Sequence, residues 1–354
     1  MKTFSIKVIF MEKSSRKARC WSCQSTDTIK WGKQSGKQRY HCLHCGIYFT
    51  IKNEPVKRTN ELIWFKKWVI YRQTLESISR DSGLSTRTLR RKFSVYLNRY
   101  PCWVIPEYRL VNLVVDGTYF SNKICLFIYR ENELKETLLY RTTSGECADE
   151  IYQDLINIMS LGIVIESVTC DGHKSIIRAI KDANKWIKRY NKEHGTNHGP
   201  ILVQRCLVHV QRGCLAYLKK DHKSVEGRRL RAIAMTVCKI DSIEKRELFV
   251  NAFTSWVNDT SEYLFHQTYN EQSGRMWRTH KALYSAYNTI KNALPCMFHY
   301  LNNTRIPRTT NCLEGFFSHL KDDISFHRGL SREHFRNFLR WYIWFKNQTG
   351  TGFS

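Results

Sequence analysis

The sequence contains no long apolar segment. No apolar run reaches the roughly 18–20 residues that a membrane helix needs, although 42% of the 354 residues are hydrophobic. The start, MKTFSIKVIFMEKSS, resembles a signal peptide only weakly, because Lys7 interrupts its short apolar part and no small-residue cleavage site follows. We therefore expect a cytoplasmic protein with a large core and no membrane partner.

Acidic residues are scarce relative to basic ones. The chain has 57 Lys and Arg against 31 Asp and Glu, which gives a net charge of +26. The excess is concentrated in residues 1–100, which hold 22 Lys and Arg but only 6 Asp and Glu. Such a charge indicates a polyanionic partner, most often nucleic acid.

A disulfide framework is also lacking, although thirteen cysteines are present. Nine are scattered singly, which is typical of reduced thiols in a cytosolic protein. The other four form the pattern C-x2-C-x18-C-x2-C, which has zinc-site spacing. They are Cys20, Cys23, Cys42 and Cys45. We predict a structural Zn²⁺ in a small ribbon of strands over 1–55, in which His41 or His44 could replace one thiolate. The lysines and arginines around it favour contact with phosphates.

The next segment, 56–105, predicts a helix-turn-helix and a linker. Apolar residues recur at helical spacing, Gly83 marks a turn, and Ser85 is a plausible N-cap for a basic second helix. We expect four residues of this second helix to face the major groove of DNA. They are Thr86, Arg87, Arg90 and Arg91. The alternative is an ordinary helical hairpin with a solvated basic face. Pro101 and Pro106 bracket the predicted linker.

Two apolar runs end in Asp-Gly. NLVVDGTYF reads as a buried strand ending at Asp116, and GIVIESVTCDG reads as another ending at Asp171. Between them we predict two strands and a helix, and beyond them a helix, a short strand and a helix. Strand, strand, strand, helix, strand, helix, strand, helix is the order of an RNase H-like α/β fold. In that fold the first and fourth strands are neighbours, so both carboxylates would point into one space.

A third acid follows far along the chain. PRTTNCLEGFFSHLKDD starts a helix near Asn311, with Glu314 one turn inside. Two Asp and one Glu could hold two Mg²⁺ or Mn²⁺ ions about 3.5–4 Å apart, an arrangement that supports in-line phosphoryl transfer.

The chain resembles the Mutator-type DDE transposases of bacterial insertion sequences, in a variant with an N-terminal zinc ribbon. The stretches VVDGTY, TCDGHKSI, VQRCLVHVQRG and RTTNCLEGFFSHLK carry the resemblance over about residues 110–345. It implies that Asp116, Asp171 and Glu314 are the catalytic metal ligands, and that Cys206 and His209 form the family's Cys-x-x-His motif. The RNase H-like core would then occupy 106–218 and 306–354, with a helical insertion over 219–305.

Simpler interpretations exist for several of these residues. Each Asp-Gly pair is also a common turn, and Asn311-x-x-Glu314 is a capping-box pattern. Glu166 and Glu271 are weaker candidates for the third acid. His173 lies either near the metals or in solvent at a helix start. Trp256 and Trp277 are expected to pack in the core rather than stack on an unpaired base.

The sequence therefore predicts a DNA transposase that hydrolyses a phosphodiester and transfers the strand. Double-stranded DNA is the expected partner, and two ends must be joined, so we expect a homodimer or a larger oligomer. An inactive DNA-binding regulator and an RNase H-like nuclease without strand transfer are the alternatives.

Overall fold

The protein is a mixed α/β protein that divides into two compact units. A computed structural model describes residues 18–51, 55–103, 110–120, 124–219, 223–327 and 329–350. Unit 1 comprises Met1–Tyr108, Leu134–Leu138 and Gly315–Ser354, and unit 2 comprises Arg109–Glu133 and Leu139–Glu314. The signal-like start and Pro106 of the predicted linker lie outside the described residues, and the predicted five-part division stays a prediction.

The described residues form ten strands and twelve α-helices, which alternate only between β6 and α6. The strands are β1 (Thr28–Gln34), β2 (Lys37–Cys42), β3 (Tyr48–Thr50), β4 (Leu110–Phe120), β5 (Ile124–Glu131), β6 (Thr137–Thr143), β7 (Val164–Cys170), β8 (Leu202–Arg205), β9 (Gln267–Asn270) and β10 (Arg275–Arg278). The helices are α1 (Pro55–Ile70), α2 (Leu75–Ser82), α3 (Thr86–Leu97), α4 (Ala148–Met159), α5 (Lys174–His194), α6 (Leu207–Tyr217), α7 (Val225–Ala234), α8 (Ile243–Phe265), α9 (Lys281–Ala293), α10 (His299–Asn302), α11 (Asn311–Ser325) and α12 (Arg332–Gly350). Within the described ranges, no helix has the length and apolar character needed to cross a bilayer.

A three-stranded antiparallel sheet, in the order β1-β2-β3, opens the described part of unit 1. The turn between β1 and β2 has positive φ at both central residues, +49° at Ser35 and +74° at Gly36. This is the type I′ geometry that matches the twist of the flanking strands. The four cysteines and Phe49 belong to a very small core on one side of this sheet.

The helix-turn-helix prediction agrees with the local structure of α2 and α3. The Thr74 hydroxyl caps α2 by accepting from the Ser77 N–H, and α2 ends at Gly83 in the left-handed conformation. The predicted N-cap, Ser85, accepts from the Thr88 N–H at 3.2 Å and starts α3. Each cap satisfies a backbone group that the helix ends leave free.

Aromatic rings hold the helices of unit 1 together. The ring of Phe65 on α1 stacks on Tyr96 of α3, with centroids 4.7 Å apart. The same ring meets Trp341 of α12 edge-on at 5.5 Å. Trp341 and Phe345 are buried, so α12 packs against the other helices of this unit through its aromatic residues.

Unit 2 contains a mixed five-stranded sheet in the order β6-β5-β4-β7-β8. The central strand β4 is antiparallel to β5 and parallel to β7, and β7 is parallel to β8. The apolar runs of β4 and β5 are buried without alternation, as is typical of strands covered on both faces. The predicted adjacency of the strands that precede Asp116 and Asp171 is confirmed.

The segment predicted as a helical insertion, 219–305, does contain helices. It also contains one β-hairpin, which was not predicted. Helices α6 to α9 share a core that includes the fully buried Trp256, so the predicted packing of that residue is confirmed. Strands β9 and β10 pair as an antiparallel hairpin within the same stretch. Its turn is fixed by a hydrogen bond from the Ser273 N–H to the Asn270 side chain, and by Gly274 with φ +62°. The hairpin therefore follows from local turn chemistry.

Candidate functional site

The parallel register of β4 and β7 brings two acids to the same end of the sheet. The last pair of this ladder is Val114 with Thr169, and Asp116 and Asp171 each lie two residues beyond it. Side chains alternate along a strand and neighbouring strands are about 4.8 Å apart. Asp116 is within β4 and Asp171 is the first residue after β7, so the register brings the two acids close to each other at the carboxyl end of β7.

Asp116 lies in a mostly buried position within β4. The prediction that the strand ends at Asp116 is wrong, because β4 continues to Phe120 in its pairing with β5. Asp116 Oδ1 accepts a hydrogen bond from the Gly117 N–H at 2.8 Å. Burial raises the pKa of Asp116 to about 6, the Gly117 hydrogen bond opposes that rise, and the negative charge of Asp171 adds to it. Two acids thus interact electrostatically at this position, as their strand register implies.

The loop that carries Asp171 is held by a neighbouring arginine. Asp171 Oδ1 accepts from the His173 N–H at 2.7 Å, and its carbonyl oxygen accepts from Arg205 Nη2 at 2.9 Å. Gly172 adopts φ +91°, and a Cβ there would lie 2.0 Å from Arg205 Cζ. Glycine is therefore required both for the backbone conformation and for the close approach of the guanidinium.

Glu314 projects from the first turn of α11 towards α6. Its Oε2 accepts from Arg212 Nη1 at 3.1 Å, and its Oε1 lies 3.8 Å from Nδ1 of His209. This Oε1 is buried and has no hydrogen-bond partner among the described residues. The carboxylate thus contacts side chains of another helix, which does not favour the capping-box interpretation.

Cys206, His209 and Thr310 connect α6 to the start of α11. The Thr310 N–H and hydroxyl both donate to Cys206 Sγ, at 3.3 and 3.4 Å, and the hydroxyl lies 3.3 Å from His209 Nδ1. Burial acts to raise the pKa of Cys206, but hydrogen bonds from His209 and Thr310 lower it. The Cys206 hydrogen bond raises the pKa of His209 against the effect of burial, and the charges of Glu314 and Asp116 add to the rise. His209 therefore interacts with two of the three predicted acids.

A fourth acid, Glu146, lies beside this group and was not singled out from the sequence. A Cβ on Gly117 would lie 2.6 Å from Glu146 Oε1, and Glu146 Oε2 is 3.3 Å from His173 Nδ1. Burial raises the pKa of Glu146, and the charge of His173 opposes the rise. His173 is thus half-exposed at the start of α5, as one alternative predicted, and it also contacts an acid close to the predicted metal ligands, as the other predicted. Glu146 precedes α4 and belongs to no local sequence motif, so its closeness to Gly117 and His173 is visible only in the folded structure.

The other residues that the sequence offered as candidates are Glu166, Glu271 and Trp277. Glu166 accepts hydrogen bonds from Asn112 and Asn303, each at 2.9 Å, and lies five residues before Asp171 in the chain. Glu271 is exposed in the turn between β9 and β10. Trp277 is 48% exposed, so the prediction that it packs in the core is wrong.

The four N-terminal cysteines converge into a cluster. Cys20 Sγ lies 3.6 Å from Cys45 Sγ, and Cys23 Sγ lies 3.5 Å from Cys42 Sγ. These separations far exceed a disulfide bond of about 2.05 Å. A tetrahedral zinc ion with bonds of about 2.3 Å would place its sulfurs about 3.8 Å apart. The cluster could therefore hold a structural metal ion such as zinc, as predicted, and the four thiols supply the complete shell without His41 or His44.

Within the described ranges, the cysteine cluster is also the single group of three or more acids, histidines or cysteines whose ligand atoms all lie within 4.8 Å of one another. Asp116, Asp171 and Glu314 do not meet that condition together. Arg212 holds one oxygen of Glu314, and the like charges of the two aspartates repel.

The four predicted DNA-contacting residues lie in the first two turns of α3. Arg87, Arg90 and Arg91 are exposed, and Thr86 is half-buried. The opposite face of the helix is buried through Leu89 and Phe93. The helix is therefore amphipathic, with its cations on the accessible side.

No protein-family model and no curated protein matches the chain. The resemblance to Mutator-type transposases accordingly depends on the four sequence stretches and on the placement of their residues.

Proposed function

We propose that the protein is a DDE transposase of the Mutator type, which cuts DNA and joins the resulting end to a target. One observation carries the proposal. Asp116 on β4 and Asp171, directly after β7, each lie two residues beyond the last ladder pair of these adjacent parallel strands, and Glu314 reaches the same neighbourhood through His209. The sheet order, with the acid-bearing strand in the centre, supports an RNase H-like core.

The residues present fit divalent cations. Asp116, Asp171 and Glu314 offer only oxygen ligands, which Mg²⁺ and Mn²⁺ prefer. Glu314 Oε1 is a buried acceptor with no hydrogen-bond donor among the described residues. These three carboxylates would hold the cations, which when bound supply charge neutralisation at the reacting phosphate and an activated attacking oxygen.

Other residues of the chain would position this machinery. Arg205 holds the loop of Asp171, and the Thr310–Cys206–His209 group fixes the start of the helix that carries Glu314. Arg212 balances the charge of Glu314 and lies where a DNA phosphate would also be attracted. This is the role that we assign to the Cys-x-x-His motif: it orients Glu314 and takes no part in nucleophilic attack.

Binding to DNA would come from unit 1. Exposed arginines on α3 and the lysines of the β1–β2 ribbon present positive charge to phosphates. Joining two DNA ends requires two active sites to act together, so we propose a homodimer or larger assembly on double-stranded DNA.

The test uses a plasmid that carries the DNA flanking the gene. Wild-type protein with Mg²⁺ should nick this DNA and, given a pre-cut end and a target plasmid, form a joined product. Asp116→Asn should lose both reactions and still bind the ends. The matched control is Glu193→Gln, which replaces an exposed acid on α5 and should behave as wild type.

Three results would contradict the proposal. Strand transfer by Asp116→Asn would overturn the assignment of that residue. Nicking without any joined product would identify a nuclease, and DNA binding by wild type without nicking would identify a regulator.

A further inference from the structure

The outer face of the three-stranded ribbon carries a cluster of aromatic rings. Along β2 and β3, Cys42 and Phe49 point to the metal side and belong to the small core. His41 and Tyr48 alternate to the opposite face, where they are paired across the two strands. Trp31 of β1 joins them, and Trp31 and Tyr48 are 50% and 44% exposed.

The three rings hold each other in place. His41 stacks on Tyr48 with centroids 4.3 Å apart and planes 15° apart. Trp31 lies 5.4 Å from His41 and 5.5 Å from Tyr48, tilted against both. Because these side chains are already ordered by their mutual contacts, a ligand that stacks on them would immobilise few additional rotamers.

One cation contacts the rings, and others lie on the same ribbon. The guanidinium carbon of Arg39 lies 4.8 Å from the centre of the Tyr48 ring. Lys30, Lys33 and Lys37 are exposed on the first hairpin. Between residues 18 and 51 the sequence has five Lys and Arg against one acid, Asp27.

Exposed aromatic rings among cations are the features that bind unpaired nucleotides, whose bases stack while their phosphates meet the cations. Duplex DNA would not use the rings, because its bases already stack on one another. An apolar protein surface would use the rings and the exposed Ile29, but it would leave the cations of the ribbon without anionic partners. Charge thus favours nucleic acid over protein as the occupant.

We propose that this face, made of Trp31, His41, Tyr48 and Arg39, binds a single-stranded nucleic-acid segment by base stacking. The inference goes beyond the proposed function and does not depend on it, since stacking requires neither the acids of unit 2 nor a divalent cation.

The test compares two probes on the full chain in its zinc-bound form, without added divalent cation. One probe is a fluorescein-labelled 12-nucleotide oligothymidylate, and the other is an abasic strand with the same number of phosphates. Fluorescence anisotropy at fixed salt gives the dissociation constants. Oligothymidylate should bind at least tenfold more tightly than the abasic strand.

Substitutions then assign that preference to the ribbon. Trp31→Ala and Tyr48→Ala should each weaken oligothymidylate binding by about 10- to 100-fold, the effect of losing one stacked base, and should leave abasic binding unchanged. Trp31→Phe should restore most of the affinity. The matched control is Tyr217→Ala, which removes an exposed aromatic ring of α6 and should bind as wild type. Zinc content of one ion per chain verifies that each variant keeps its ribbon.

Equal affinity for the two probes, or unchanged binding by both alanine variants, would overturn the inference. A change of oligomeric state in Trp31→Ala, without a change in binding, would identify the face as a protein interface instead. Asp116→Asn should bind oligothymidylate normally, so failure of the proposed catalysis and failure of this inference give different results.

Discussion

At the scale of single residues, one histidine outside the candidate active site is buried and kept uncharged. His327 is 7% exposed, and its ring lies between Trp68 at 4.3 Å and Phe338 at 5.1 Å. Burial lowers the pKa of His327 to about 4, although a hydrogen bond to the Trp68 backbone opposes the shift. The folded protein therefore keeps this histidine neutral where an unfolded chain would protonate it.

The stability that depends on His327 should disappear in mild acid. The unfolded chain takes up the proton near pH 6.5 and the folded chain only near pH 4, so the contribution is complete above 6.5 and falls as the pH drops towards 4. The loss should reach about 2 kcal/mol at pH 5. Between pH 7 and pH 5, the free energy of unfolding of His327→Gln should therefore fall by about 2 kcal/mol less than that of wild type. Urea unfolding at the two pH values measures this difference. The control is His198→Gln, which replaces an exposed histidine and should retain the wild-type pH dependence of stability. An equal fall in the free energy of unfolding for wild type and His327→Gln would refute the argument.

At the scale of elements, the loop after β7 depends on one glycine. Gly172→Ala should cost about 1–3 kcal/mol of stability from the positive φ, and the new Cβ should also displace Arg205 from the Asp171 carbonyl. DNA nicking should therefore fall much more than stability does.

Gly195→Ala provides the matched control for this loop. Gly195 has φ +64° and open space around its Cβ position, so the substitution carries the backbone strain alone. Thermal unfolding and nicking rates for both variants separate the two effects. Similar nicking by both would show that Arg205 does not position Asp171.

The ribbon of β1 to β3 should depend on its metal ion. Its core is too small to fold unaided, and zinc contributes about 10–16 kcal/mol of binding free energy in zinc-finger peptides. Mass spectrometry should find one zinc per chain in wild type and none in Cys23→Ser, whose ribbon should be cleaved rapidly by protease. Cys238→Ser, outside the cluster, should keep both the zinc and the resistance. A zinc-free wild type with a resistant ribbon would contradict this account.

Elements with strong local signals were predictable from the sequence. The Gly83 turn and the Ser85 cap depend on neighbouring residues alone, and each lies where the pattern predicts. The apolar run before Asp116 is a strand as predicted, but the strand extends past Asp116 to Phe120.

Glu146 and the exposed Trp277 were not predictable. Glu146 lies near Gly117 and His173, which are distant from it in the chain. The turn residues Asn270 and Gly274 indicate the hairpin of Trp277, but its four-residue strands have no apolar period to show that the ring is exposed.

At the scale of the whole molecule, the net charge of +26 should dominate DNA affinity. Six or more phosphate contacts predict about a thousandfold loss of affinity between 50 and 200 mM salt. Anisotropy titrations on duplex DNA should give a steep linear plot of log affinity against log salt. A flat plot would exclude phosphate binding as the role of the basic first hundred residues.

The central claim is that Asp116, Asp171 and Glu314 form one divalent-cation site. Electron paramagnetic resonance of free Mn²⁺ tests it, because bound Mn²⁺ leaves the sharp aqueous signal. Zinc-loaded wild type, in the presence of DNA, should remove about two Mn²⁺ per chain. Asp116→Asn, Asp171→Asn and Glu314→Gln should each remove fewer, whereas Glu193→Gln should match wild type. Wild-type Mn²⁺ binding in all three variants would contradict the claim.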